Sequence, residues 1–171
     1  MKKKLIGINK CNYLQEGTNI EAYAYFIHKT VEYKKHYFFK KSKNLFNKNN
    51  LICPITLPKL DLQDAFEFNL NELENTCGFN ELKNFYLTQP HNFLSIGKYT
   101  EEDDVKILFH SYSIDVTMIE QRQVEQLREP YFDYVWISEE ELDDHICSDD
   151  IIVYSGLVFC YTKFLLKESS T

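Results

Sequence analysis

Asn71-Glu72-Leu73-Glu74-Asn75-Thr76-Cys77-Gly78-Phe79 is the stretch that decides the fold. Extended upstream, it places Phe66, Leu70, Leu73 and Cys77 at i, i+4, i+7 and i+11, one apolar stripe of a helix. Gly78 stands where a left-handed residue ends such a helix. Glu72 and Glu74 are both acidic. At about 100 degrees per residue, however, they lie roughly 200 degrees apart around the axis, so they do not clasp one ion from the same helix. Glu67 shares the flank of Glu74 and is turned away from Glu72 in the same way.

Outward from this helix the sequence reads as strands. Ala22-Tyr23-Ala24-Tyr25-Phe26-Ile27 is strand-like, and His36-Tyr37-Phe38-Phe39-Lys40-Lys41-Ser42-Lys43 is an apolar strand running into basic residues. Leu51-Ile52-Cys53-Pro54-Ile55-Thr56 lies between these strands and the helix. Downstream, Val105 to Val116 forms a long strand that alternates well toward its end. Tyr134-Val135-Trp136-Ile137 is an apolar run followed by Ser138-Glu139-Glu140-Glu141-Leu142, a helix start. Lys41 to Asn50 reads as an exposed loop and Thr88 to Asn92 as a turn. Ile151 to Leu166 is apolar but too short for a membrane span, which predicts a buried C-terminal helix capped by Asp149 or Asp150, with a strand as the alternative.

In this order the segments resemble the core of the Nudix hydrolase family. The basic strand end, the Leu51–Thr56 segment, the Asn71–Phe79 helix and the Trp136–Leu142 strand-to-helix junction each stand where that family has its counterpart. The resemblance implies an α+β fold, a mixed β-sheet flanked by helices as an α/β/α sandwich, with residues 1–171 as a single domain. Nudix enzymes hold magnesium on glutamates of the box helix, because a hard divalent cation bridging phosphate oxygens needs charged oxygen ligands. Here Glu72 matches a box glutamate, but Asn75 and Thr76 stand at two others, Asn71 replaces the box arginine, and the earlier glutamate falls near Gln63. Ile55-Thr56 replaces the glycine pair. The implied cleft is lined by Lys40 and Lys41 from the strand and by Glu72 and Asn75 from the helix. Glu129, in a late polar loop, is the candidate second acid, since family members often place a base or an extra ligand there. Glu72 and Glu129 are thus the catalytic candidates, Lys40, Lys41 and Asn75 the ligand-binding ones, and Glu72 the metal ligand if there is one.

Composition narrows the classes. The chain has 171 residues with 44% hydrophobic and 15% aromatic content, enough to bury a substantial core. A formal net charge of −7 argues against bulk nucleic-acid binding, which needs a positive face. Lys34, Lys35, His36, Lys40, Lys41, Lys43 and Lys48 make one local basic segment, read as the wet face of a hairpin. Acidic runs at Glu101–Asp104 and Glu139–Asp150 suit a basic protein partner or solubility alone. Met1-Lys2-Lys3-Lys4 is not followed by an apolar region long enough for a signal peptide, so a cytoplasmic protein without a membrane segment is expected. Cys11, Cys53, Cys77, Cys147 and Cys160 include no C-x-x-C pair and read as reduced thiols, while the five histidines show no ligand spacing.

Three functions fit. The missing acids favour a non-catalytic Nudix-like domain that binds a nucleotide-like ligand or a protein partner and needs no cofactor. The alternative within the family is a divergent magnesium-dependent hydrolase of nucleoside diphosphate derivatives, with Glu72, Glu129 and water around the ion. The alternative outside it is a small acidic immunity or inhibitor protein that masks a basic partner. Trp136, inside an apolar run, is expected to serve as a core or staple residue and not as a stacking platform.

Overall fold

The computed structural model describes residues 20–42, 51–56, 65–102, 106–122, 132–147, 161 and 163–166. Strand β1 (Ile20–Val31) turns directly into β2 (Lys34–Ser42), and the two pair antiparallel from Val31↔Lys34 to Ile27↔Phe38. The turn residues Glu32 and Tyr33 both take positive φ, 51 and 68 degrees. That is the two-residue hairpin geometry that matches strand twist, reached here without glycine. Beyond Phe38 the two strands part, and the following segment fills the gap between them. There β3 (Leu51–Ile52) pairs with Lys40 and Lys41 of β2, and β4 (Ile55–Thr56) pairs with Tyr23 and Ala24 of β1.

Helices α1 (Ala65–Cys77) and α2 (Leu82–Thr88) follow, then a short 3-10 turn at Pro90–Asn92. The chain returns to the sheet as β5 (Phe93–Glu102) and β6 (Lys106–Asp115). Strand β7 (Phe132–Ser138) and helix α3 (Glu139–Cys147) follow. The main sheet runs β3-β2-β1-β6-β5, with β4 added to β1 and β7 to β2. Strands β1 and β6 are parallel, from Ile20↔Ile107 to His28↔Asp115, while the other pairings are antiparallel, so the sheet is mixed as expected.

Strand alternation sends the buried side chains to two faces, each covered by helix. Ala22, Ala24, Phe26, Tyr37, Phe39, Ile107 and Phe109 pack with Leu142 of α3 and with Tyr161 and Phe164. Tyr25, Ile27, Phe38 and Ile114 pack on the other face with Leu70, Leu73 and Cys77 of α1 and Leu82 of α2. This is the α/β/α arrangement. Residues 161 and 163–166 are helical, in keeping with a C-terminal helix, while 151–160 and the proposed caps Asp149 and Asp150 lie outside the described residues. The expected strand at 105–116 is β6, and the expected junction after Trp136 is the β7–α3 corner. At that corner the Ser138 hydroxyl oxygen accepts the Glu141 backbone N–H at 3.3 Å, a side-chain N-cap. No helix among the described residues is long and apolar enough to cross a membrane.

Candidate functional site

The α1 helix is held by its apolar stripe. Leu70, Leu73 and Cys77 are 0%, 2% and 4% exposed, and the side chain of Phe66 lies outside the described residues. Gly78 takes φ 82 degrees, and its N–H donates to the Glu74 carbonyl at 2.8 Å, the left-handed stop expected from the sequence.

The flanks of the helix carry different groups. Glu72 and Thr76 are half-buried, Asn75 is exposed, and Asn69, three residues before Glu72, is fully buried. By helical spacing Asn69, Glu72 and Thr76 share a flank. Glu74 lies on the opposite flank, where its Oε1 accepts the Glu81 backbone N–H at 2.9 Å. Its carboxylate is therefore engaged at the start of α2, away from Glu72, as the helical angle requires.

Lys40 and Lys41 do not line one cleft, because successive residues of a strand face opposite ways. Lys40 follows Phe38 on the α1 side of the sheet, and Lys41 follows Phe39 on the α3 side. Only Lys40 is placed to serve a site beside α1. It is 5% exposed, with its Nζ 5.8 Å from the centre of the Tyr134 ring. The methylene stem is buried along that aromatic wall. Glu129 lies outside the described residues.

An aromatic wall stands beside Lys40. Phe38 stacks on Tyr134 at 5.3 Å and 6 degrees, and meets Phe79 edge-on at 5.2 Å. Trp136 completes the wall, with its ring centre 5.0 Å from that of Phe38. The Trp136 indole N–H donates to Gln121 Oε1 at 2.9 Å, and Lys29 Nζ sits 4.0 Å above its ring. With its N–H bonded and a cation over its ring, Trp136 acts as a staple of the wall.

Two residues escaped the sequence reading. Gln121 bonds Trp136 and also donates from Nε2 to the Cys77 carbonyl at 2.9 Å, tying the end of α1 to β7. A backbone bridge between Phe79 and Gln121 reinforces the tie. Nothing in its local sequence marks it. Asn69 is fully buried, and neither atom of its side-chain amide has a hydrogen-bond partner among the described residues. A polar residue adjoining the apolar stripe was the available signal for Asn69.

The electrostatics of the sheet face near α1 and α2 include two shifted phenols. Burial pushes Tyr23 above its ordinary value of 10.0, and the neighbouring Glu21 carboxylate adds to the rise. Burial likewise raises Tyr112, with smaller contributions from Tyr23 and Tyr86. Both phenols are neutral at physiological pH.

The Glu72 flank of α1 alone offers few ligands for magnesium. Where the resemblance places three glutamates, the chain offers the Glu72 carboxylate, the Asn75 amide and the Thr76 hydroxyl. Magnesium binds hard, charged oxygens in near-octahedral geometry, and an amide and a hydroxyl do not replace two carboxylates. Among the described residues no group of three His, Cys, Asp or Glu side chains is placed to hold a metal ion.

Comparison with known proteins places the fold. No family model matches the sequence, and no curated protein matches it. Solved structures do. A Nudix hydrolase from Alicyclobacillus acidocaldarius superposes with a TM-score of 0.58 at 10% identity, over 92% of this chain and 98% of the other. The Nudix domain of Shewanella oneidensis NrtR, solved with ADP ribose, gives 0.56 at 8% identity over 95% and 97%. The Ap4A hydrolase of C. elegans, in a binary complex, gives 0.54 at 11% identity over 89% and 99%. The chain has the fold of the Nudix hydrolases.

Proposed function

We propose that this chain is a single Nudix-fold domain that binds a nucleotide-like ligand beside α1 without ordinary magnesium-dependent hydrolysis. The observation that carries the reading is the donor set of the box-helix face, where one carboxylate, Glu72, is joined by an amide and a hydroxyl. Such a face still offers hydrogen-bond donors and acceptors to phosphate or ribose, and Lys40 adds a cation on the facing sheet. Glu72 and Asn75 supply polar contacts. The fold supports this class of ligand, since a similar structure holds ADP ribose and another is an Ap4A hydrolase.

The test is calorimetric titration of the full chain with ADP-ribose and with diadenosine tetraphosphate, in EDTA and again with magnesium. The reading expects binding that persists in EDTA and weakens in Lys40→Met, which keeps the buried stem but removes the charge. Binding that appears only with magnesium would show that the face holds the ion after all and favour the divergent hydrolase. A protein partner is the second reading, favoured by an acidic cleft on the other flank of α1.

A further inference from the structure

We propose that the cleft between α1, α2 and the turn after β6 is a docking site for a short basic segment of a partner protein. The cleft has a volume of about 810 Å³ and lies on the Glu74 flank of α1, away from Glu72. Among the described residues that line it are three carboxylates, Glu74, Glu81 and Glu120, against one cation, Arg122. Apolar surface runs between them, with Phe85 and Ile119 half-buried and Met118 84% exposed. Acidic groups around an apolar strip complement a peptide that alternates cationic and aliphatic side chains, and an exposed methionine adapts to such a partner. The same charge disfavours a nucleotide here.

The walls are already fixed. The Asn80 N–H donates to the Glu120 carbonyl at 3.0 Å, and the Arg122 N–H to the Gly78 carbonyl at 2.8 Å. Gln121 ties the same turn to Cys77 and Trp136, and Glu74 holds the N–H of Glu81. A partner entering this cleft therefore meets a preformed surface and spends little on ordering it. The inference stands whether or not the Glu72 face binds a nucleotide.

The experiment is an amide-shift titration of the isotope-labelled full chain with a short N-acetylated peptide of alternating leucine and arginine. Its glutamate-for-arginine twin and spermidine are run in parallel. The expected result is shifts confined to Asn80–Thr88 and Met118–Arg122, seen with the basic peptide alone. The double variant Glu81→Lys/Glu120→Lys should weaken binding by about ten-fold or more, as should raising the salt, while ADP-ribose binding stays unchanged. Met118→Ser, at an exposed position and without a change of charge, should also weaken the peptide. Absence of shifts, shifts elsewhere, or a double variant that binds as well as the parent would overturn the proposal. Equal shifts from spermidine would overturn it in favour of a polyamine site, and shifts that follow protein concentration without peptide would overturn it in favour of self-association.

Discussion

Asn69→Leu should make the protein more stable. Asn69 is fully buried beside the apolar stripe of α1, and neither its amide nitrogen nor its amide oxygen has a partner among the described residues. Burying an amide without hydrogen bonds costs about 1–3 kcal/mol, and leucine of similar size removes that cost while adding apolar surface next to Leu70 and Leu73. For a chain of 171 residues each kcal/mol moves the melting temperature by about 2–4 °C, so the expected rise is about 2–12 °C. Differential scanning calorimetry of the two proteins measures it, with the amide spectrum confirming an unchanged fold. A melting temperature that falls would refute the reasoning, because it would mean that the amide has a partner whose loss outweighs the relief.

Two further outcomes follow from the geometry. Gln121→Ala removes both the bond to the Trp136 indole and the bond to the Cys77 carbonyl, so it should destabilise by about 1–2 kcal/mol, discounted because the site is partly solvated. Trp136 fluorescence should change with it, and an unaltered denaturation midpoint and spectrum would remove Gln121 from its role. The raised phenols of Tyr23 and Tyr112 mean that the folded state holds these protons more tightly than the unfolded state. That contribution is present below pH 10.0 and is lost as pH climbs through the folded values, so urea midpoints should fall above pH 10.0, less steeply in Tyr23→Phe.

Much of the fold was legible because its signals are local. The Leu70-Leu73-Cys77 stripe with Gly78 marks a helix and its end, and the β-rich runs mark β1, β2 and β6. The parallel pairing of β1 with β6 joins residues such as Ile20 and Ile107, and no periodicity carries contacts that distant. The site was less legible. Lys40 and Lys41 look equivalent as neighbours in sequence, but strand alternation separates them, and only Lys40 faces the α1 side. The opposition of Glu72 and Glu74 was readable because helical angle alone sets it. Gln121 was not, because its two partners, Cys77 and Trp136, come together only when β7 pairs with β2.

The most direct test of the central claim is turnover. ADP-ribose, diadenosine tetraphosphate and a panel of nucleoside diphosphate derivatives are incubated with the full chain and magnesium or manganese, beside the Glu72→Gln variant. The account predicts no release of phosphate or nucleoside monophosphate above background from either the parent or Glu72→Gln, because one carboxylate on this face holds magnesium poorly. Turnover by the parent that disappears in Glu72→Gln would contradict it and make Glu72 the metal ligand of an active Nudix hydrolase.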